Sequence, residues 1–126
     1  MPKRKASEEE ATELRFLEGV RRRLPDDVPA LMALGDLYTK VGRFQEGFEI
    51  DSQLVRLQPD EPLVWYNLAC SCALLTRADH AFDALSRAAR LGYDDAAWMK
   101  RDPDLRSLHK DPRFEAFLKT LSGDER

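Results

Sequence analysis

Metal and nucleophile chemistry would fall first to the histidines His80 and His109 and the cysteines Cys70 and Cys72. Paired histidines share a metal when they sit one helical turn apart. His80 and His109 lie far outside that spacing, in different segments, and read as a surface residue near a helix start and a loop residue. Cys70 and Cys72 are two positions apart on an expected helix, so their side chains point about 200° apart. That spacing disfavours a mutual disulfide, and no neighbouring histidine or third cysteine offers a shared metal. They read as reduced packing thiols. No glycine-rich phosphate loop and no nucleophile elbow is present, so no catalytic residue, cofactor or metal site is expected.

The charged residues point to helix ends. Arg21-Arg22-Arg23 falls in the last turn of an expected helix, where cations offset the helix dipole. Most carboxylates belong to helix starts and solvated faces. The run Lys3-Arg4-Lys5, followed by Glu8-Glu9-Glu10, reads as a solvated terminus. A net charge of −3 over 126 residues argues against nucleic acid as a partner, which calls for a basic stripe. No stretch reaches the ~20 apolar residues of a membrane helix, and no signal core opens the chain. The expected location is cytoplasmic. An apolar share of 43% and a charged share of 34% suit one helical, charge-rich domain.

Behind these residues lies a repeat. Pro25-Asp26-Asp27 returns thirty-four residues later as Pro59-Asp60-Glu61, and after another thirty-four as Tyr93-Asp94-Asp95. Leu34 with Leu68, Arg43 with Arg77, Phe48 with Phe82 and Leu57 with Leu91 keep the same step without a gap. An ungapped period in this range marks repeat units that bury their apolar faces against one another. Leu31, Leu34, Leu37, Tyr38 and Val41 give a helix over residues 28–41, with Asp26 or Asp27 as its cap and Gly42 at its end. A second helix runs from Phe44 to Leu57 and stops at Gln58-Pro59. The next pair covers Glu61 to Leu75 and Ala78 to Leu91, with Gly92 as a cap. Its turn, Thr76-Arg77, lacks the glycine that Gly42 supplies, which predicts a less favourable connection. Leu34, Leu68, Phe48 and Phe82 are expected at equivalent buried sites.

Glu8 to Arg23 carries Leu14, Leu17 and Val20 on one face and reads as a lone helix covering the front of the array. Downstream, Asp102-Pro103 and Asp111-Pro112 each signal a helix start. Phe114, Phe117, Leu118 and Leu121 belong to a terminal helix. With Trp98, Met99, Leu105 and Leu108 they are expected to cover Phe82, Leu85 and Leu91.

This pattern resembles the tetratricopeptide repeat. Leu31, Leu34-Gly35, Tyr38, Gly42, Phe44 and Pro59 occupy that family's usual positions in residues 28–61. Trp65, Tyr66-Asn67-Leu68-Ala69, Ala81, Leu85 and Ala88 do so in 62–95. Asp102-Pro103-Asp104-Leu105 to Asp111-Pro112-Arg113-Phe114 resembles the terminal unit of such arrays. The resemblance implies an all-α solenoid of helical hairpins, a TPR-like fold with capping helices at both ends. Its expected divisions are tails at 1–7 and 122–126, a half-unit at 8–24, repeats at 28–61 and 62–95, and a degenerate unit at 96–121. Gly47 stands where alanine is usual, Asp51 where a large apolar residue is, and Cys72 and Ala78 where aromatic residues are.

In this family the first helix of each hairpin lines a groove. The resemblance places Met32, Asp36, Thr39 and Lys40 there in one unit and Tyr66, Cys70, Ala73 and Leu74 in the next, facing a protein or peptide partner. The alternative is that neighbouring helices cover Tyr66, Cys70 and Leu74, which then bind nothing. Some members clamp acidic chaperone tails with basic side chains; Met32, Asp36 and Cys70 at the matching positions argue against such a partner. The implied function is a non-enzymatic interaction module, an adaptor, scaffold or chaperone-like factor. An enzyme with an unrecognised site, or its regulatory subunit, is the rival reading.

Overall fold

The computed structural model describes residues 6–123; the Lys3-Arg4-Lys5 run and the last three residues of the expected tail lie outside them. All regular secondary structure among the described residues is helical, with no strand. They form α1 (Glu8–Arg23), α2 (Val28–Lys40), α3 (Phe44–Leu57), α4 (Pro62–Leu74), α5 (Ala78–Arg90), α6 (Ala96–Arg101), a 3-10 helix (Pro103–Leu108) and α7 (Pro112–Ser122). Two compact units divide the chain, Met1–Pro59 and Asp60–Arg126.

In the first unit α1 packs on α2, and α2 on α3. Ser7 begins α1 with a reciprocal capping box to Glu10, satisfying backbone N–H groups that the first turn leaves unpaired. Asp27 caps α2 by accepting from the Ala30 N–H at 3.0 Å. Its neighbour Asp26 accepts from Gln53 of α3 instead, and Arg21 of α1 donates to the same glutamine. Leu31, Leu34 and Leu37 of α2 and Ile50 and Leu54 of α3 are buried with Leu14 and Leu17 of α1. A polar clasp joins these helices: the Tyr38 hydroxyl donates to Glu18, and the Arg43 guanidinium lies over the Tyr38 ring and pairs with Glu46. Burial, then the Glu18 bond, holds the Tyr38 hydroxyl well above the usual tyrosine range.

In the second unit α4 packs on α5, the 3-10 helix on α4, and α7 on α5 and α6. The core includes Val64, Ala69, Leu85, Met99, Leu105, Leu108, Phe114 and Leu118. Phe82 is buried, with Arg113 stacked over its ring at 4.6 Å. Leu34 is buried as expected, but Phe48 and Leu68 are half-buried, so the equivalent positions do not share one depth. Trp98 also departs from expectation. It remains 39% exposed and leaves the closure of this unit to Met99 and residues after it.

The thirty-four-residue step recurs in the backbone. First helices start at Val28, Pro62 and Ala96, and second helices at Phe44, Ala78 and Pro112. Both complete hairpins turn by the same bonds: the Arg43 N–H donates to the Tyr38 carbonyl at 2.8 Å and the Arg77 N–H to the Cys72 carbonyl at 2.9 Å. Gly42 takes φ +81° in that turn, and Thr76, its counterpart, is held at φ +58°. Residues 96–108 span the length of α2 and α4 but break at Asp102-Pro103 into α6 and the 3-10 helix. Proline removes an N–H and disfavours helical geometry in the residue before it, and Asp102 accordingly has ψ 114°.

Candidate functional site

Met32, Asp36 and Lys40 follow one another at four-residue steps along α2, so they share one face of that helix. Asp36 and Lys40 are exposed and Met32 is half-buried. Thr39 lies toward α3: a Cβ built on Gly47 would come within 3.0 Å of its hydroxyl oxygen. The α2 set therefore offers one apolar and two oppositely charged side chains, with Thr39 set aside by packing.

The corresponding set on α4 has a different fate. Tyr66, Cys70 and Ala73 are all buried, and Leu74 is half-buried. For Tyr66, Cys70 and Ala73 the expectation of a groove-facing position is corrected by what covers them. The Tyr66 ring stacks on Tyr93 with centroids 4.2 Å apart, and its hydroxyl donates to an Asp102 carboxyl oxygen. Cys70 Sγ approaches the same oxygen at 3.7 Å. Ser107 of the 3-10 helix donates to the Ala73 carbonyl at 2.8 Å. The chain's own terminal segment occupies this face.

Asp102 organises that cover. It ends α6 and starts the 3-10 helix, its other carboxyl oxygen accepting from the Asp104 N–H at 3.0 Å. Burial, the Cys70 sulfur and the Asp102 bond together keep the Tyr66 hydroxyl protonated far above its ordinary range. Burial and the Asp102 charge likewise push the Cys70 thiol up. From the sequence alone Asp102 reads only as a capping acid. The signal that could have found it is positional, since it stands thirty-four residues after Leu68 and sixty-eight after Leu34, where a core leucine would continue the repeat.

Cys70, Asp102 and Asp104 each place one ligand atom within 4.8 Å of the others. Within this cluster both Asp102 oxygens already accept hydrogen bonds, one from Tyr66 and the other from the Asp104 N–H, and a metal would compete with them and need the Cys70 thiolate. Cys72 is also buried, and neither cysteine forms a disulfide. His80 is exposed in the first turn of α5, and His109 is exposed after the 3-10 helix, its ring 4.9 Å from that of Phe114. No helix among the described residues is long and apolar enough to cross a membrane.

No family model matches the chain. It is similar to a chloroplastic protein of Arabidopsis thaliana, with 29% identity over 85 residues, which is 65% of this chain. The matched part is 25% of that protein, so the chain spans about a quarter of the length of the curated relative it matches.

Proposed function

We propose that the chain is a non-enzymatic, tetratricopeptide-like interaction module that presents the outer face of α2 to a segment of a partner protein. The observation that carries this reading is the contrast between two equivalent helix faces. On α4 the face is filled by the chain's own terminal segment; on α2 Asp36 and Lys40 remain exposed beside half-buried Met32. An apolar side chain beside opposite charges suits a peptide held by one apolar anchor and a pair of polar contacts. It suits an acidic chaperone tail poorly, because Asp36 would repel it. Two buried cysteines outside any disulfide fit a reducing compartment, the cytoplasm in this reading. The chloroplast is the location named for the relative, not for this chain.

The test is capture of partners from a lysate of the source, comparing the native chain with Met32→Ala/Asp36→Lys/Lys40→Glu. A partner retained by the native chain and lost with the α2 changes supports the reading. Tyr66→Phe, which alters the covered face, should leave capture unchanged. Partners held equally by the α2 variant would overturn it.

A further inference from the structure

Helix α1 buries Leu14 and Leu17 and turns Phe16 away from them, 64% exposed. At about 100° per residue, Phe16 lies roughly 160° around the helix from Leu14. Half-buried Val20 and Leu24, 57% exposed, continue a stripe at four-residue steps. Gly19, beside this stripe, has room around it: a Cβ there would meet only the Arg22 guanidinium, at 3.7 Å. A single exposed phenylalanine calls for no explanation. The charges flanking this one do. Exposed Glu9 and Glu13 precede it on the same side, and exposed Arg23 follows it.

We propose that α1 pairs antiparallel with the α1 of a second copy of this chain. A two-fold axis at the height of Glu18, on the Phe16–Val20 side of the helix and away from α2, sets Phe16 against the partner's Val20 and Glu13 against the partner's Arg23. Symmetry repeats both contacts. Glu13 and Arg23 are about 15 Å apart along the axis, so opposite charges bracket the apolar centre at both ends. A parallel pairing would set Glu13 against its own copy and Arg23 against its own, and like charges would oppose it. The stripe lies on a different helix from the α2 surface, so this inference goes beyond the proposed function and stands apart from it.

One helix pair is a small interface, so sedimentation equilibrium of the full chain should show a reversible, salt-weakened dimer forming at concentrations up to about 1 mM. Phe16→Ser should be monomeric across that range, with helical content unchanged because the side chain is exposed. Glu13→Arg or Arg23→Glu alone should raise the dissociation constant roughly two- to thirtyfold, each breaking two symmetric exposed pairs. Glu13→Arg/Arg23→Glu together should restore dimerisation. A native chain monomeric throughout would overturn the proposal. So would Phe16→Ser dimerising like the native chain, or a double charge reversal no tighter than the weaker single one.

Discussion

Tyr66 and Asp102 form the buried polar contact on which the covered face of α4 depends. Removing the hydroxyl in Tyr66→Phe leaves an Asp102 oxygen short of a donor in a buried site, which costs about 1–3 kcal/mol at neutral pH. The fold holds this hydroxyl protonated beyond the range in which an unfolded tyrosine ionises. Its contribution is therefore complete below about pH 10 and is lost progressively as pH rises above that value. Urea titrations of both proteins should show a constant gap through neutral pH that narrows above it. A gap that widens with alkali would show the opposite linkage. Thr76 is the second residue with a clear stake. It is a β-branched side chain in the left-handed region, where its counterpart is Gly42. Its hydroxyl donates to the Leu75 carbonyl and offsets part of that strain. Thr76→Gly should stabilise the protein by about 0.5–1 kcal/mol, the strain outweighing the extra freedom of the unfolded chain. A rise in the urea midpoint without a change in slope is the expected signature.

Helices α2 and α3 approach closely where Gly47 faces Thr39, and thirty-four residues on the same positions hold Ala81 and Ala73. The two hairpins thus divide the same space differently between equivalent sites. Gly47→Ala gains up to ~1 kcal/mol of helix propensity but presses a methyl against the Thr39 hydroxyl. With Thr39→Ala the pressure is relieved. A double-mutant cycle should return a favourable coupling of about 0.5–1.5 kcal/mol, whereas strictly additive effects would mean that the hydroxyl does not limit the approach. The helices of both complete hairpins were legible because an apolar period of three to four runs through each, with Asp27 capping α2, Gly42 following it and Pro59 following α3. Helix α6 was not, because six residues are too few to display a period and Asp102 interrupts the apolar series. The face formed by Tyr66, Cys70 and Ala73 was legible as a helix face. Its burial was not, because the covering groups, Tyr93, Asp102 and Ser107, lie far along the chain and no local pattern announces what they touch.

Across the whole molecule, the segment from Ala96 onward decides whether the second unit has a closed core. Met99, Leu105, Leu108, Phe114 and Leu118 are buried, and at about 1.5–3 kcal/mol each their gross burial amounts to roughly 8–15 kcal/mol as an upper estimate. That is comparable to the entire net stability of a domain, typically about 5–15 kcal/mol. The same segment shields Tyr66, Cys70, Ala73 and Phe82. A chain ending at Asp95 would expose these side chains together, and a contiguous apolar patch associates. It should aggregate or self-associate in sedimentation and lose much of its cooperative melting. The covered α4 surface would open at the same time. If this truncated chain holds partners more strongly than the full one, the terminal segment occupies a usable binding face. If it is instead a soluble monomer with an unchanged melting transition, residues 96–123 are not part of the core and the cover over Tyr66 has no stabilising role.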